Sequence, residues 1–334
     1  MEIPPAQRAV VVEKAGGPEV LDYRTNHTVP KPLAGQVLVK NEIAGINYID
    51  TYFRTGLYSS PKPEVLGREA AGVVVALGPG AEEYNLKVGD RVIWLANAGY
   101  AEYSAVPAAK TLLLPDNLSF EDATASFMSG LTALALVKET YTVQPGEWVL
   151  LHAAAGGAGY LMTQMLKRIG ARVIGTAGGI EKVELVKSLG ADHVIDYRSA
   201  EGKDWVTTVM NITEGRGVDV VYDSVGQDTW EGSLAAVKRK GTIVWFGNSS
   251  GPIPPLLLNR LSPKCVKVAR PTLFGYIADR DEYEQYAREL FELRISGALK
   301  VRIHGFYALS DLQRAHIDLE GRKTSGKLLI KVLE

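Results

Sequence analysis

Cysteine is almost absent from this chain: Cys265 is the only one in 334 residues. An internal disulfide is therefore impossible, a Cys-rich zinc site has no ligands, and a reducing compartment suits the chain. An excess of one charge is also missing. Thirty-seven Lys and Arg oppose 38 Asp and Glu, for a net charge of -1, so neither nucleic acid nor an anionic membrane surface is favoured as the main partner. The opening residues, Met1-Glu2-Ile3-Pro4-Pro5, lack the basic flank and apolar run of a secretion signal, which points to a cytoplasmic location. One run, 148–166, has 19 residues without a formal charge. It contains three glycines, His152 and Gln164 and opens as a buried strand, so no membrane span is expected.

What is present is ordinary globular material. Hydrophobic residues make up 46% and charged ones 22%, enough for a sizeable core, and the length suits about two domains. From residue 8 to about 117, short β-like runs such as Ala9-Val10-Val11-Val12 and Gln36-Val37-Leu38-Val39-Lys40 alternate with Gly and Pro turns, which predicts a β-rich, barrel-like section. Ser119-Phe120-Glu121-Asp122 reads as a helix start with Ser119 as N-cap. From 148 onward, strands at 148–152, 172–176, 193–195, 218–222 and 242–246 alternate with helical patterns such as 181–189. That alternation predicts βαβ units and a doubly wound parallel sheet. After about 270 come a helix at 282–295, a strand at 302–306, another helix from Ser310, and a final strand at 327–332 that is expected to rejoin the N-terminal β section. Lys238-Arg239-Lys240 reads as a solvated helix end.

The strongest local signal is Val149-Leu150-Leu151-His152-Ala153-Ala154-Ala155-Gly156-Gly157-Ala158-Gly159, an apolar strand running into a Gly-rich turn and then a helix at 160–169. Small residues there let backbone N–H groups and a helix N-terminus approach a pyrophosphate, although the match to G-x-G-x-x-G begins with Ala154. The same loop also serves plain strand-to-helix packing. His152, at the end of a buried strand, reads as a satisfied structural histidine. The next strand ends in Ala177-Gly178-Gly179 with no carboxylate at its tip, where NAD-binding sites place an acid against the ribose 2′-hydroxyl. Lys182, Tyr197 and Arg198 offer cations and a hydroxyl to a 2′-phosphate, so NADPH is expected over NADH.

Seven segments carry a family resemblance over essentially the whole chain: 16–21, 45–52, Gly56-Leu57-Tyr58, 66–72, 152–159, Tyr222-Asp223-Ser224-Val225-Gly226, and 246–251. The chain resembles the quinone oxidoreductases of the zeta-crystallin group, in the zinc-free branch of the medium-chain dehydrogenase/reductase family. The resemblance implies an α/β protein with a GroES-like β-rich domain from residues 1–126 and 271–334 and a Rossmann domain from 127–270. Where zinc relatives have Gly-His-Glu, this chain has Gly67-Arg68-Glu69. A guanidinium does not ligate a cation, so an acceptor reduced without a Lewis acid is expected.

The resemblance also places site residues. It puts nicotinamide near Asn47, Tyr52, Thr132 and the Phe246-Gly247-Asn248-Ser249 turn, pyrophosphate on Ala155, Gly156, Gly157 and Ala158, and the adenosine ribose near Ser224. The 2′-phosphate contacts map onto Gly179, Lys182, Tyr197 and Arg322, with Gly179 standing where relatives often carry Ser. Tyr52, Asn47 and Asp50 are the catalytic candidates, and capping in a turn is the competing use of Asn47 and Asp50. The implied reaction is hydride transfer from NADPH to a quinone, with the proton drawn from water or Tyr52. Reduction of an enone or 2-alkenal is the second reading, and AU-rich RNA binding a third from another class. A homodimer is implied, with the sheet extended at the strand after Thr242 or near 264–268.

Overall fold

The computed structural model describes residues 2–333. It divides into two compact units, one formed by Met1–Met128 with Ala287–Glu334 and the other by Ser129–Tyr286. The boundaries fall inside two helices, Phe120–Ala135 and Arg280–Ile295.

The second unit is a six-stranded parallel sheet. Its strands, in spatial order, are His193–Asp196, Arg172–Ala177, Trp148–Leu151, Val218–Asp223, Val237–Trp245 and Lys267–Ala269. Numbered by appearance within the unit the order is 3-2-1-4-5-6, and it reverses beside the first strand, where doubly wound sheets open a ligand crevice at their carboxyl ends. All six residues of Val218–Asp223 are buried, so the strand is covered on both faces, and its two acids, Asp219 and Asp223, are held by hydrogen bonds inside the unit. Leu150, Ile174, Val221, Ile243 and Trp245 form the centre of the core beneath the helices.

In this unit one segment differs from its sequence reading. Lys238-Arg239-Lys240 lies not at a helix end but in the strand Val237–Trp245, where the Lys238 ammonium pairs with buried Asp219. Asp219 also accepts from Arg216 and from the Trp148 N–H, so the charge at 238 neutralises an interior acid instead of being solvated.

Among the described residues, the first unit carries a three-stranded sheet and a seven-stranded one. The organising strand is Gln36–Ile46, eleven residues long, with register shifts near Leu38 and Asn41 that let it pair in turn with three partners. The last strand, Lys327–Lys331, runs antiparallel to it with Leu328 opposite Ile46, so the C-terminus does rejoin the N-terminal β section. Ser119 caps the helix Phe120–Ala135 by accepting the Asp122 N–H at 3.0 Å. A helix that the sequence reading treats as a turn, Tyr48–Thr55, follows the long strand directly. No helix among the described residues is long and apolar enough to cross a membrane.

Candidate active site

In the second unit the first strand ends at Leu151, and the loop that follows is suspended from its neighbours. The His152 N–H donates to the Tyr222 carbonyl at 3.0 Å and the Ala154 N–H to the Thr176 carbonyl at 3.0 Å. Ala153 sits at φ +53°, and its carbonyl accepts the Gly156 N–H at 3.0 Å, closing a tight turn into the helix Gly157–Ile169. A Cβ on Gly159 would collide with that same Ala153 carbonyl, so strand and helix approach as closely as glycine permits. Ala155 is nearly buried while Gly156, Gly157 and Ala158 stay partly open. First-turn N–H groups have no intrahelical acceptor. With no side chain in front of them, they fit a pyrophosphate.

Two further turns flank this loop. The Phe246 N–H donates to the Asp223 carbonyl at 2.9 Å and the Ser249 N–H to the Ser224 carbonyl at 3.1 Å, so the 246–249 turn and Ser224 are stitched together. A Cβ on Gly247 would sit 2.5 Å from the Ser224 carbonyl, which explains glycine there. Asp223 is fully buried and accepts from the N–H groups of Val225 and Gly226 and from Thr229 and Ser233. His152 lies behind, its ring nitrogens 3.1 Å from the Thr176 hydroxyl and 3.3 Å from that of Ser233. Burial holds it below the usual imidazole range. It is a satisfied interior histidine that ties the glycine loop to the strand Arg172–Ala177 and the helix Trp230–Ala236.

At the tip of the second strand, Gly178 and Gly179 face a cluster of polar side chains. A Cβ on Gly178 would meet the Tyr197 hydroxyl at 2.5 Å and Arg198 Nε at 3.0 Å. Gly179 has φ +92° and opens the helix Ile180–Ser188, on which Lys182 is half-buried. The missing acid is missing from this strand only. Asp196, at the end of the neighbouring strand, accepts the Gly179 N–H at 2.8 Å and the Arg198 N–H at 3.0 Å through one oxygen, and these two bonds hold its carboxyl below the usual range. The sequence reading missed it because parallel strand pairing, not local spacing, brings residue 196 to residue 179. Thr132 also belongs to this unit, on Phe120–Ala135, whereas Arg322 belongs to the first unit, at a left-handed position after the helix Leu312–Glu320.

In the first unit, Asn47 is the N-cap of Tyr48–Thr55, and Asp50, at the third helical position, accepts the Asn47 N–H at 2.8 Å. Capping is therefore part of what both residues do. The Asn47 side chain has a second task. Its Nδ2 donates to Glu69 at 2.8 Å, and its Oδ1 accepts from the Lys327 ammonium at 2.6 Å. Lys327 also pairs with Glu69, whose other oxygen accepts the Met128 N–H at 2.9 Å. The sequence marks Glu69 only as part of the Gly67-Arg68-Glu69 segment and gives neither it nor Lys327 a role at the site, because the two meet only through the tertiary fold.

Asp50 is completely buried. Its Oδ2 also accepts the Tyr100 hydroxyl at 2.6 Å, while Oδ1 has no partner. Burial pushes its carboxyl from 3.8 up to about 6, against the Tyr100 and Asn47 hydrogen bonds and the charges of Arg68 and Lys327. Tyr52 is 7% exposed and packs edge-on against Tyr58, with ring centroids 5.2 Å apart. Arg68 lies over the Phe53 ring at 3.6 Å and donates to Asn97. Among the described residues, no three His, Cys, Asp or Glu side chains gather into a group that could hold a metal ion.

A family model described as zinc-binding dehydrogenase matches residues 157–292, and one described as an alcohol dehydrogenase GroES-like domain matches 33–116. A quinone oxidoreductase of Salmonella typhimurium is 45% identical over 323 residues, covering 95% of this chain and 97% of the relative. The solved structure of Escherichia coli quinone oxidoreductase complexed with NADPH superposes with a TM-score of 0.93 at 44% identity, over 98% of this chain and all of that one. A 2-haloacrylate reductase of Burkholderia is 35% identical over 332 residues, 96% of this chain and 98% of the relative. With the Gly-rich crevice, and with Arg68 in the Gly67-Arg68-Glu69 segment, these matches define the lineage: the chain belongs to the zinc-free quinone oxidoreductase group of the medium-chain dehydrogenase/reductase family.

Proposed function

We infer that this chain is an NADPH-dependent quinone reductase. The observation that carries the reading is the open glycine loop at the switch point of the parallel sheet, next to a second-strand tip of Ala177, Gly178 and Gly179 that carries no acid of its own. Relatives named quinone oxidoreductase, one of them solved with NADPH, support it. We assign Ala155–Ala158, Ser224, the 246–249 turn and Thr132 to the dinucleotide. Gly179, Lys182, Tyr197 and Arg322 are assigned to its 2′-phosphate.

NADPH held there supplies a hydride. The quinone gains that hydride and one proton and leaves as the hydroquinone. Positioning dominates such a reaction, so the rigid stitching of 152–159 to 176 and of 224 to 246–249 is what the protein contributes. Tyr52, alongside water, is our proton source. Asp50, with no exposed surface, is assigned to holding the Asn47 helix start, and Asn47 to the reacting end of the site. Arg68 cannot ligate a metal, which favours acceptors that need no Lewis acid.

We further assign the chain to a reducing compartment, and to a homodimer formed at the sheet edge, where Lys267–Ala269 pairs on one side and Val268 is 39% exposed. Sedimentation at micromolar concentration should give twice the 36.2 kDa chain mass, and a monomer would refute the assignment.

The second reading, reduction of an activated double bond, is favoured by the 2-haloacrylate reductase relative. Oxidation of NADPH and NADH by the purified full chain with 1,4-benzoquinone, 9,10-phenanthrenequinone and a 2-alkenal separates the two. Quinone turnover preferring NADPH is expected. Turnover of the alkenal alone would select the second reading, and NADPH binding without any turnover would remove the enzyme.

A further inference from the structure

Asp196 stands at an unexpected place for a site that takes a phosphorylated ribose. Its carboxylate already holds the Gly179 N–H at 2.8 Å, at the mouth of the helix Ile180–Ser188, where backbone donors and the helix dipole favour an anion. The Arg198 N–H binds the same oxygen at 3.0 Å, and the side chains of Tyr197 and Arg198 close over Gly178. The carboxylate is thus a resident anion among backbone donors and a cationic side chain that suit anions. Because both bonds favour its charged form, it stays ionised at neutral pH.

We propose that Asp196 is a specificity-determining residue that limits how strongly this chain prefers NADPH over NADH. The proposal rests on the reading above that the 2′-phosphate lies by Gly179 and Lys182. A dianionic 2′-phosphate is repelled by Asp196 and competes with it for the Gly179 donor. An unphosphorylated ribose has a 2′-hydroxyl that donates to a carboxylate, so Asp196 does for NADH what an acid at the strand tip does in NAD-binding sites. One residue therefore weakens one cofactor and strengthens the other, and the neighbouring strand supplies it instead of the second strand's own tip.

Asp196→Asn isolates the charge, since the amide oxygen still accepts both N–H groups. The test is equilibrium binding of NADPH and of NADH by calorimetry, at low and at high salt, for the unmodified chain, Asp196→Asn and Lys182→Ala. We expect Asp196→Asn to tighten NADPH by about threefold to tenfold at low ionic strength and to weaken NADH, with the NADPH gain shrinking as salt is raised. A purely structural Asp196 would instead shift both cofactors together, without salt dependence, and that result overturns the proposal. So does an unchanged ratio of the two Kd values. Lys182→Ala should weaken NADPH and spare NADH. If NADPH is unaffected there, the 2′-phosphate is not at this helix, and the reading beneath the proposal falls with it, whatever Asp196→Asn does.

Discussion

Lys327 and Glu69 lie 258 residues apart in the chain and form a buried ion pair, with side chains 4% and 0% exposed, and the Asn47 amide bridges both. The pair links the last strand to the start of the strand Glu69–Leu77 and, through Asn47, to the cap of Tyr48–Thr55, so a candidate site residue is oriented by a strand nearly three hundred residues further along the chain.

Breaking that pair should be costly. Lys327→Met leaves an interior carboxylate without its cation, and losses of about 3–5 kcal/mol are usual for such a change. Protection of the Gln36–Ile46 amides in native-state hydrogen exchange reads this directly, since the last strand pairs with them. The double variant Glu69→Gln with Lys327→Met should recover much of the loss. A single variant as stable as the unmodified chain would show that the charges do not depend on each other.

Asp50 and His316 should give the first unit opposing responses to acid. Arg54 only donates, so His316 Nδ1, 3.0 Å from it, is the acceptor and the proton sits on Nε2, which is buried without a partner. Burial first, and the Arg54 charge second, depress His316 to about 3. Because it takes up its proton more readily when unfolded, stability is lost as pH falls from about 6.5 towards 3. Asp50, raised to about 6, takes up its proton more readily when folded, so its contribution rises as pH falls from about 6 to about 4. Each slope is about 1.4 kcal/mol per pH unit, so the two cancel between about pH 6 and 4, and His316 acts alone below that. Asp50→Asn should therefore make the first unit lose roughly 3 kcal/mol over that window, and His316→Gln should make it gain a similar amount. Hydrogen exchange of its strands at pH 6, 5 and 4 measures both, and parallel profiles in the two variants would sink the account.

What the sequence makes legible depends on range. The glycine loop, the strand and helix alternation and the Ser119 cap are local patterns, and they appear where the sequence put them. The segment Tyr48–Thr55 reads as a turn in the sequence because its aromatic and β-branched residues are weak helix formers. The Asn47-to-Asp50 spacing of a capping box was the available signal. Lys238 looked solvated because nothing local reveals that Asp219 needs a partner. Asp196, Glu69 and Lys327 act through strand pairing, which no window of sequence contains.

Ala153 stores a small strain that a test can release. A non-glycine residue at φ +53° pays roughly 1 kcal/mol for its Cβ, whereas glycine pays almost nothing for that conformation. Ala153→Gly should thus raise the urea midpoint of the second unit slightly, after the entropy of a more flexible unfolded chain is deducted. The four tryptophans of that unit, Trp148, Trp205, Trp230 and Trp245, report its unfolding. A marked drop would mean that the loop requires the methyl group for packing.

Gly159→Ala should fail in the opposite way, because its new methyl group meets the Ala153 carbonyl and the Ala154 backbone rather than a side chain that can swing aside. The Gly157–Ile169 helix can then be accommodated only by moving away from the strand Trp148–Leu151, which opens the turn and pulls the first-turn N–H groups off their aim. We expect a stability loss of about 1–3 kcal/mol, as for other overpacked positions. NADPH binding, followed by tryptophan quenching under conditions where the variant is folded, should weaken at least tenfold. NADPH affinity equal to that of the unmodified chain in a folded Gly159→Ala variant would detach the cofactor from this loop. Reduced affinity together with the stability loss ties the close approach of strand and helix to phosphate binding, since one backbone contact governs both.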